Sequence, residues 1–352
     1  MVGPDGTLPL PWLAPLLQRT LQGPQAHALL LHGPQGVGQF ELALTIAQAW
    51  LCERADASSA ATPCGVCASC RLVQSHSHPD LLVLLPEALQ EPLGWSQGAD
   101  EEGAERAAKK ATPSREIKIA AVRLAVNFAQ TTTARGRAKV VVLHPAERIN
   151  HVSANTLLKT LEEPPGAARF ILSCAAPDAL LPTIRSRCRS LALALPPAEQ
   201  ASAWLAGQGV ADAAVMLAAT GGQPQEALAW IAQGIDGAAW LRVPAAVAQG
   251  QAGAFANWPV PRLVDALQKV CHDTLSLGVG AAPRYFPAAA LRRGAEPAAL
   301  HAWLRELNRV ARHGEHTWNA GLLAESLVQQ GQRATGGAAG RPTGGSSVHS
   351  AP

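Results

Sequence analysis

The feature that most constrains this sequence is a glycine-rich turn between a short apolar run and an amphipathic segment. The apolar run is "HALLLH" (27–32), and the turn that follows contains Gly33, Gly36 and Gly38. A strand that ends in glycines and continues as a helix is the usual setting of a phosphate-binding loop, because the loop N–H groups and the helix N-terminus bind anions. The pattern predicts an α/β domain with this turn at the end of a strand.

The same turn lacks the groups with which such a loop breaks a phosphoanhydride. A functional loop carries Lys and then Ser or Thr after its last glycine, whereas this sequence has Gln39 and Phe40. The strand-like run ending at His144 continues into proline instead of the carboxylate that would hold Mg²⁺, and Glu147 is displaced along the chain. We therefore expect no productive ATP hydrolysis. Weak nucleotide binding and a purely structural strand-to-helix turn both remain open.

Short β-rich runs alternate with helical patterns through the first part of the chain. Two helical patterns, 116–130 and 153–163, separate runs that are apolar along their whole length. Continuous apolar strands separated by helices predict a parallel sheet covered on both faces. The predicted strands are 27–32, 80–85, 139–144, 169–174 and 190–195.

Strand signals nearly vanish after "LPP" (195–197), and the remaining pattern is helical. The clearest case is 298–313, where apolar side chains recur at helical spacing, namely Leu300, Trp303, Leu304, Leu307 and Val310. Two polar segments, 87–114 and the tail from Arg333, are too poor in apolar residues to build a core. We expect both of these segments to be unstructured.

Charge and hydropathy limit the partners and the cellular location that this protein can have. The formal net charge is +3, too small for nucleic acid to be an obvious partner without a local basic patch. No basic region followed by an apolar one opens the sequence, and the long uncharged stretch 243–261 contains three prolines. We expect a soluble cytoplasmic protein with no membrane association.

Four of the seven cysteines are clustered, at Cys52, Cys64, Cys67 and Cys70. Two overlapping C-x₂-C steps suit tetrahedral Zn²⁺, because this spacing lets backbone turns aim the sulfurs at one ion. Four protein ligands would leave no open position, so the predicted zinc is structural. A redox pair is the alternative interpretation, and His76 or His78 could replace one sulfur.

A predicted helix ends with three arginines in "LLPTIRSRCRS" (180–190). Cations at this position commonly complement the negative end of the helix dipole, which is one interpretation of the cluster. The other interpretation depends on two motifs, "SANTLLKTLEEPP" (153–165) and "TIRSRC" (183–188).

Together with a cysteine cluster after a degenerate phosphate loop, these motifs resemble the subunits of the bacterial DNA polymerase III clamp loader. This is an AAA+ family, and the resemblance is closest to its delta-prime subunits. It covers roughly residues 20–330 and includes "GGQPQEAL" (221–228) and "NAGLLAESL" (319–327). The resemblance implies an α/β AAA+ module, a small helical lid and an all-α collar domain. With the polar segments added, we expect an AAA+ domain at 1–195, with a zinc module at 52–70 and an insertion at 87–114, a lid at 196–236, a collar at 237–333 and a tail at 334–352.

The resemblance also implies a function. In that family, motor subunits hydrolyse ATP to load the sliding clamp onto primer-template DNA, and the subunits form a hetero-pentamer with gamma/tau and delta subunits. The arginine of the Ser-Arg-Cys motif, here Arg187, reaches a neighbour's ATP, and Ser186 and Cys188 would position it. ATP would then be bound only in a neighbouring subunit. This chain would act without intrinsic ATPase as part of the DNA polymerase holoenzyme.

Two alternatives remain at this stage. A gamma/tau-like motor subunit of the same clamp loader shares the cysteine cluster and both motifs, and only the failed phosphate loop, Gly33, Gly36 and Gly38 without Lys or Ser/Thr, separates the two kinds of subunit. A zinc-ribbon protein that binds nucleic acid alone would need a basic and aromatic face, but the sequence has one Tyr and five Phe.

Overall fold

The computed structural model describes residues 1–54, 62–95, 113–313 and 318–336. These residues divide into two compact units, Met1–Trp204 and Leu205–Pro352. The boundary falls within a helix, Ala198–Gly207, close to the predicted end of the first domain at 195. The predicted division into an AAA+ domain, a lid and a collar stays a prediction. Within the described residues, none of the helices is both long enough and apolar enough to cross a membrane.

The first unit is built on a five-stranded parallel sheet with the strand order β2-β3-β4-β1-β5. All five predicted strands are confirmed, within three residues at every end. The strands are β1 Ala28–His32, β2 Leu81–Leu84, β3 Lys139–Leu143, β4 Ala168–Cys174 and β5 Arg189–Ala192.

Helices cover both faces of this sheet, which confirms the predicted α/β class. Alternate residues of each strand point to opposite faces, so Leu29 and Leu31 join one core and Ala28 and Leu30 the other. The helices of this unit are α1 Ala14–Gln22, α2 Gln39–Leu51, α3 Ala68–Gln74, α4 Glu87–Gln90, α5 Ile119–Gln130, α6 His151–Glu162 and α7 Pro182–Arg185, and α8 Ala198–Gly207 spans the boundary.

Local sequence explains where the helices nearest the site begin and end. Helix α2 starts directly after Gly38, whose φ of 104° is favourable only for glycine. Helix α6 starts after Asn150, whose side chain accepts a hydrogen bond from the Ser153 N–H at 2.9 Å. It ends at Glu162, shortly before two prolines that could not continue it. Glu162 is therefore held at a helix C-terminus.

The described part of the second unit is helical. A buried aromatic group lies in it, since the rings of Trp240 and Phe286 stack with centroids 4.6 Å apart. The fully buried carboxylate of Asp273 accepts hydrogen bonds from the N–H groups of three successive residues, 284–286. The helices are α9 Ala213–Ala219, α10 Pro224–Ala232, α11 Gly237–Ala248, α12 Val260–Gly278, α13 Pro297–Arg312 and α14 Ala320–Ala334.

The segment 87–114, predicted to be unstructured, begins instead with the short helix α4. Its two ends are joined, because the Ala88 N–H donates to the Ser114 carbonyl at 3.1 Å and Glu87 pairs with Lys118. Residues 96–112 lie outside the described residues, as do residues 337–352 of the predicted tail. At its start the predicted tail overlaps the last residue of helix α14, Ala334.

Candidate functional site

The three glycines of the predicted phosphate loop form a tight turn between β1 and α2. Gly36 and Gly38 have φ values of 72° and 104°, in the left-handed region that favours glycine. A Cβ atom on Gly33 would lie 2.4 Å from the Leu193 carbonyl oxygen, so a side chain there would displace the neighbouring backbone. The backbone therefore has the shape of a phosphate loop.

The side chain of Gln39 closes this loop on itself. Its Nε2 donates to the carbonyl oxygens of Gly33, at 2.8 Å, and Pro34, at 2.5 Å, and the residue is only 6% exposed. In a functional loop the cation at this position points at the β/γ-phosphates. Here the amide is turned toward the backbone of its own loop and contributes no charge.

Phe40 occupies the position of the metal-ligating hydroxyl, and it lies against the end of β3. Its ring stacks on the imidazole of His144 with centroids 4.7 Å apart, and the His144 Nδ1 lies 2.9 Å from the Ser173 hydroxyl. Burial lowers the pKa of His144 to about 4, so the imidazole is neutral at pH 7. A neutral aromatic pair thus stands where a nucleotide-hydrolysing site needs Mg²⁺ ligands.

Glu147, the displaced acid, points elsewhere. Its Oε1 accepts a hydrogen bond from the Ala175 N–H at 2.9 Å, just after the end of β4. Its Oε2 is buried, with no hydrogen-bond partner among the described residues. One carboxylate oxygen of Glu147 therefore accepts a hydrogen bond from the backbone.

The N-terminal segment covers the loop from outside, which sequence reasoning missed. The Trp12 indole N–H donates to the Val37 carbonyl at 2.8 Å, and a Cβ atom on Gly38 would lie 2.4 Å from the Leu10 Cδ1. Trp12 in turn meets the edge of Trp204, with ring centroids 5.4 Å apart. Two widely separated tryptophans in a chain with few aromatics were the available signal.

The four clustered cysteines come together as predicted. The sulfurs of Cys52, Cys64, Cys67 and Cys70 all lie within 4.8 Å of one another. The Cys52–Cys67 and Cys64–Cys70 sulfur pairs are both 3.9 Å apart. A tetrahedral Zn²⁺ with Zn–S bonds of about 2.3 Å requires sulfur separations of about 3.8 Å. The arrangement therefore fits a closed four-coordinate metal site.

Backbone N–H groups point at two of these sulfurs. The Cys67 N–H points at the Cys64 sulfur, at 3.3 Å, and the Cys70 N–H at the Cys67 sulfur, at 3.4 Å. Burial opposes ionisation of Cys64, but hydrogen bonds from the Val66 and Cys67 N–H groups and from the Cys52 and Cys67 thiols together lower its pKa to about 6. Thiolates are the form that binds Zn²⁺.

Neither histidine replaces a sulfur. Both ring nitrogens of His78 are engaged, one with the Ser69 hydroxyl at 3.2 Å and the other with the Asp80 N–H at 3.0 Å. The His76 Nδ1 lies 2.7 Å from the Gly94 carbonyl. The candidate metal site consists of the four cysteines.

A basic loop just before β3 joins the cysteine cluster to the sheet. Arg137 donates to the Cys52 carbonyl, with its Nε at 3.1 Å, and Arg135 pairs with Glu53. Asp80, fully buried, accepts hydrogen bonds from the Ala134 and Arg135 N–H groups at 2.8 and 2.9 Å and pairs with Lys139 at 2.9 Å. The sequence signal was the basic run "ARGRAK" (134–139) beside a lone acid before β2.

The three arginines at the end of α7 and just after it have different partners. Arg185 pairs with Asp178 at 2.8 Å, and Arg189 donates to the Pro24 carbonyl at 2.8 Å. Arg187 pairs with Glu162 and donates from Nη1 to the Thr183 carbonyl at 2.9 Å. That carbonyl lies in the last turn of α7, so this one contact agrees with the helix-end interpretation.

Arg187 is partly accessible, with 28% of its side chain exposed. Ser186 is exposed, and its hydroxyl donates to the same Thr183 carbonyl at 3.2 Å. Burial raises the pKa of Cys188 to about 12, so its thiol stays protonated at neutral pH. The roles predicted for Arg187, Ser186 and Cys188 toward another subunit stay predictions.

Comparison with known proteins assigns the chain to a family. Residues 12–197, just over half of the chain, match the family described as "DNA polymerase III, delta subunit". The DNA polymerase III subunit delta' of Pseudomonas aeruginosa is 32% identical over 328 residues, 87% of this chain and 91% of that protein. The DNA polymerase III subunit tau of Salmonella typhimurium is 33% identical over 162 residues, which cover 46% of this chain and 21% of that protein.

A solved structure shares the fold. The DNA polymerase III gamma subunit-related protein of Thermotoga maritima is 15% identical, has a TM-score of 0.50, and covers 91% of this chain and 99% of its own. Both the sequence match over most of the chain and the described fold agree with the resemblance drawn from the motifs. The chain belongs to the family of DNA polymerase III delta' subunits.

Proposed function

We propose that this chain is a non-hydrolysing subunit of the DNA polymerase III clamp loader. In this role it helps to load the sliding clamp onto primed DNA, and Arg187 acts as an arginine finger on ATP bound by a neighbouring gamma/tau subunit. The observation that carries the proposal is a contrast within the first unit. The phosphate loop has its polar side chain turned inward, whereas 28% of the side chain of Arg187 is exposed.

The chemistry of the loop supports the absence of intrinsic ATP hydrolysis. Removing one group that stabilises transition-state charge typically lowers a rate by about 10²–10³-fold. This chain has Gln39 for the cation, Phe40 for the hydroxyl and a neutral His144 at the end of β3. Three such losses together leave no useful turnover.

The chemistry of Arg187 supports a role in trans. A guanidinium keeps its charge and presents a planar fork of donors, which suits the spread charge of a transferring phosphoryl group. An arginine finger supplied by another protein can be worth about 10³–10⁵ in rate. Ser186, which donates to the same carbonyl as Arg187, would help to fix the backbone there, and Cys188 would pack beneath it.

The proposed partners are the gamma/tau and delta subunits in a hetero-pentamer, the sliding clamp, and primer-template DNA through the complex. The relatives named as DNA polymerase III subunits support a multi-subunit assembly. The helical second unit would supply the lid and the collar through which the subunits associate.

We further propose that the four cysteines hold a structural Zn²⁺. The sulfur separations match those of a tetrahedral thiolate site, and four ligands leave no position for substrate. Zn²⁺ at this site would tie the end of α2 to the start of α3, next to Cys52 and Glu53, to which Arg137 and Arg135 attach the loop before β3.

The alternative function is a gamma/tau-like motor subunit. It is favoured by the loop backbone, since Gly36 and Gly38 keep the left-handed conformations of a phosphate loop, and by the match to the tau subunit. The match to tau covers less than half of this chain, and the loop lacks each of the three groups that a motor needs.

The proposal is tested by assembling the chain with gamma/tau and delta subunits and measuring DNA-stimulated ATP hydrolysis. The isolated chain should show none, and Arg187→Ala should remove most of the turnover of the complex. Arg185→Ala is the matched control, because this neighbouring arginine pairs with the exposed Asp178 and should leave turnover unchanged. Full turnover with Arg187→Ala, or hydrolysis by the isolated chain, would overturn the proposal.

A further inference from the structure

The guanidinium of Arg187 is held by a carboxylate of the same chain. Its Nη2 pairs with Oε1 of Glu162, the last residue of helix α6, and its Nη1 donates to the Thr183 carbonyl at 2.9 Å. Its Nε is buried and has no hydrogen-bond partner among the described residues. Two of its three nitrogens are thus engaged internally, and the third is left without an acceptor.

This arrangement conflicts with a contact between Arg187 and a phosphate. The carboxylate of Glu162 neutralises the charge that would attract an ATP phosphate, and it would repel that phosphate if it stayed in place. A buried N–H without an acceptor is also unfavourable, so the observed orientation does not satisfy the side chain fully. All three nitrogens would be satisfied only in a different orientation or with a further acceptor.

We propose that Glu162 is a latch that holds Arg187 back until a neighbouring subunit presents the phosphates of its nucleotide. This inference rests on the proposed function, because it assigns a second residue to the action of Arg187. The step is an exchange of ion-pair partners in which no covalent bond changes. Glu162 is a positioning residue in this scheme, since it acts through Arg187.

The latch is weak enough to open. The side chain of Glu162 is 51% exposed and that of Arg187 is 28% exposed, so solvent screens their attraction. An ion pair of this kind shifts an equilibrium by up to about fivefold. Glu162 also lies at the negative end of the α6 dipole, where a carboxylate is unfavourable without a cation beside it. The latch therefore lowers the fraction of free Arg187 without abolishing it.

A population effect of this kind has a specific kinetic signature. If only the released form of Arg187 supports nucleotide binding, apparent affinity falls in proportion to the released fraction. Glu162→Gln should therefore lower KM for ATP by about two- to fivefold in the assembled complex with primed DNA and the clamp, while kcat stays the same. Glu163→Gln is the matched control, because it removes the adjacent, exposed carboxylate and should change neither constant.

Three further measurements make the result decisive. The effect of Glu162→Gln on KM should vanish in an Arg187→Ala background, because the two residues act as a unit. Glu162→Asp should restore part of the wild-type KM, since it retains the charge. The isolated Glu162→Gln chain should melt within a few degrees of wild type, which separates the latch from a loss of folding.

The outcomes distinguish the latch from the function on which it rests. If Arg187→Ala leaves turnover intact, Arg187 is not an arginine finger, and the role proposed for Glu162 is refuted as well. If Arg187→Ala lowers turnover while Glu162→Gln matches Glu163→Gln, only the latch is wrong. A lower kcat with unchanged KM for Glu162→Gln would also overturn it, because Glu162 would then hold Arg187 in its productive geometry.

Discussion

The ring of Phe40 stacks on the imidazole of His144 with the two centroids 4.7 Å apart. These residues occupy the two positions from which a nucleotide-hydrolysing loop would ligate Mg²⁺, one after the glycines and one at the end of the neighbouring strand. Both positions carry aromatic side chains, and the two rings pack against each other. Neither of the two positions therefore carries an oxygen ligand for Mg²⁺.

This pairing predicts how stability depends on pH. The pKa of His144 is lowered to about 4 in the folded chain, chiefly by burial, so unfolding lets the imidazole take up a proton below its ordinary pKa of 6.5. The contribution of His144 to the free energy of unfolding should therefore be constant above about pH 6.5. Below that pH the free energy of unfolding should fall by up to about 3 kcal/mol as the pH decreases toward 4. Urea unfolding at several pH values measures the dependence.

His144→Gln should remove this component, so the difference between wild type and variant should shrink as pH falls from 6.5 to 4. His301→Gln, an exposed histidine in the second unit, is the control and should leave the profile unchanged. A constant difference between wild type and His144→Gln over this range would contradict the assignment.

The cysteine cluster predicts metal content and its effect on stability. The chain purified without chelator should contain one zinc, and removing it should lower the melting temperature, because binding free energy at such sites is folding free energy. Cys70→Ser should abolish stoichiometric zinc, since this residue is fully buried in the cluster. Elemental analysis and thermal melting are the measurements.

Cys271→Ser is the matched control, because this buried cysteine lies in the second unit and its thiol donates to the Leu300 carbonyl at 3.3 Å. It should keep one zinc per chain. A metal-free wild-type chain of unchanged melting temperature would refute the structural role.

The ion pair between Asp80 and Lys139 predicts a large loss of stability on breaking it. Both side chains are almost completely buried, and Asp80 also accepts two backbone N–H groups. Asp80→Asn would leave Lys139 as a buried charge without a counter-ion and should cost about 3 kcal/mol in the free energy of unfolding. Asp178→Asn, which breaks an exposed pair with Arg185, should cost less than about 1 kcal/mol. Equal effects in urea unfolding would argue against the buried pair.

The sequence was most informative where structure depends on local pattern. Apolar runs between glycines and prolines located the five strands, and cysteine spacing located the cluster of four sulfurs. Helix α5 begins at Ile119, three residues after the predicted start, because Ile117 forms an extended bridge with Ile149 instead. A pairing between residues so far apart in the chain leaves no mark on the periodicity of either segment.

The same limit applies to the contacts around the site. Trp12 meets the phosphate loop across 25 residues, and Arg137 meets Cys52 across 85 residues. The pairing of Glu162 with Arg187 joins the two motifs that identified the family, yet neither motif alone indicates that their charged residues touch. Such contacts form only when the folded sheet brings distant segments of the chain together.

The inward hydrogen bonds of Gln39 have one more consequence. Loops that cradle a nucleotide are commonly held in shape partly by the phosphates they bind, so they respond to whether a triphosphate, a diphosphate or nothing is present. In this chain the carbonyl groups of Gly33 and Pro34 already have a permanent amide partner. We therefore expect the turn to keep one shape whether a triphosphate, a diphosphate or no nucleotide is present, so that its geometry would not report the energy charge of the cell.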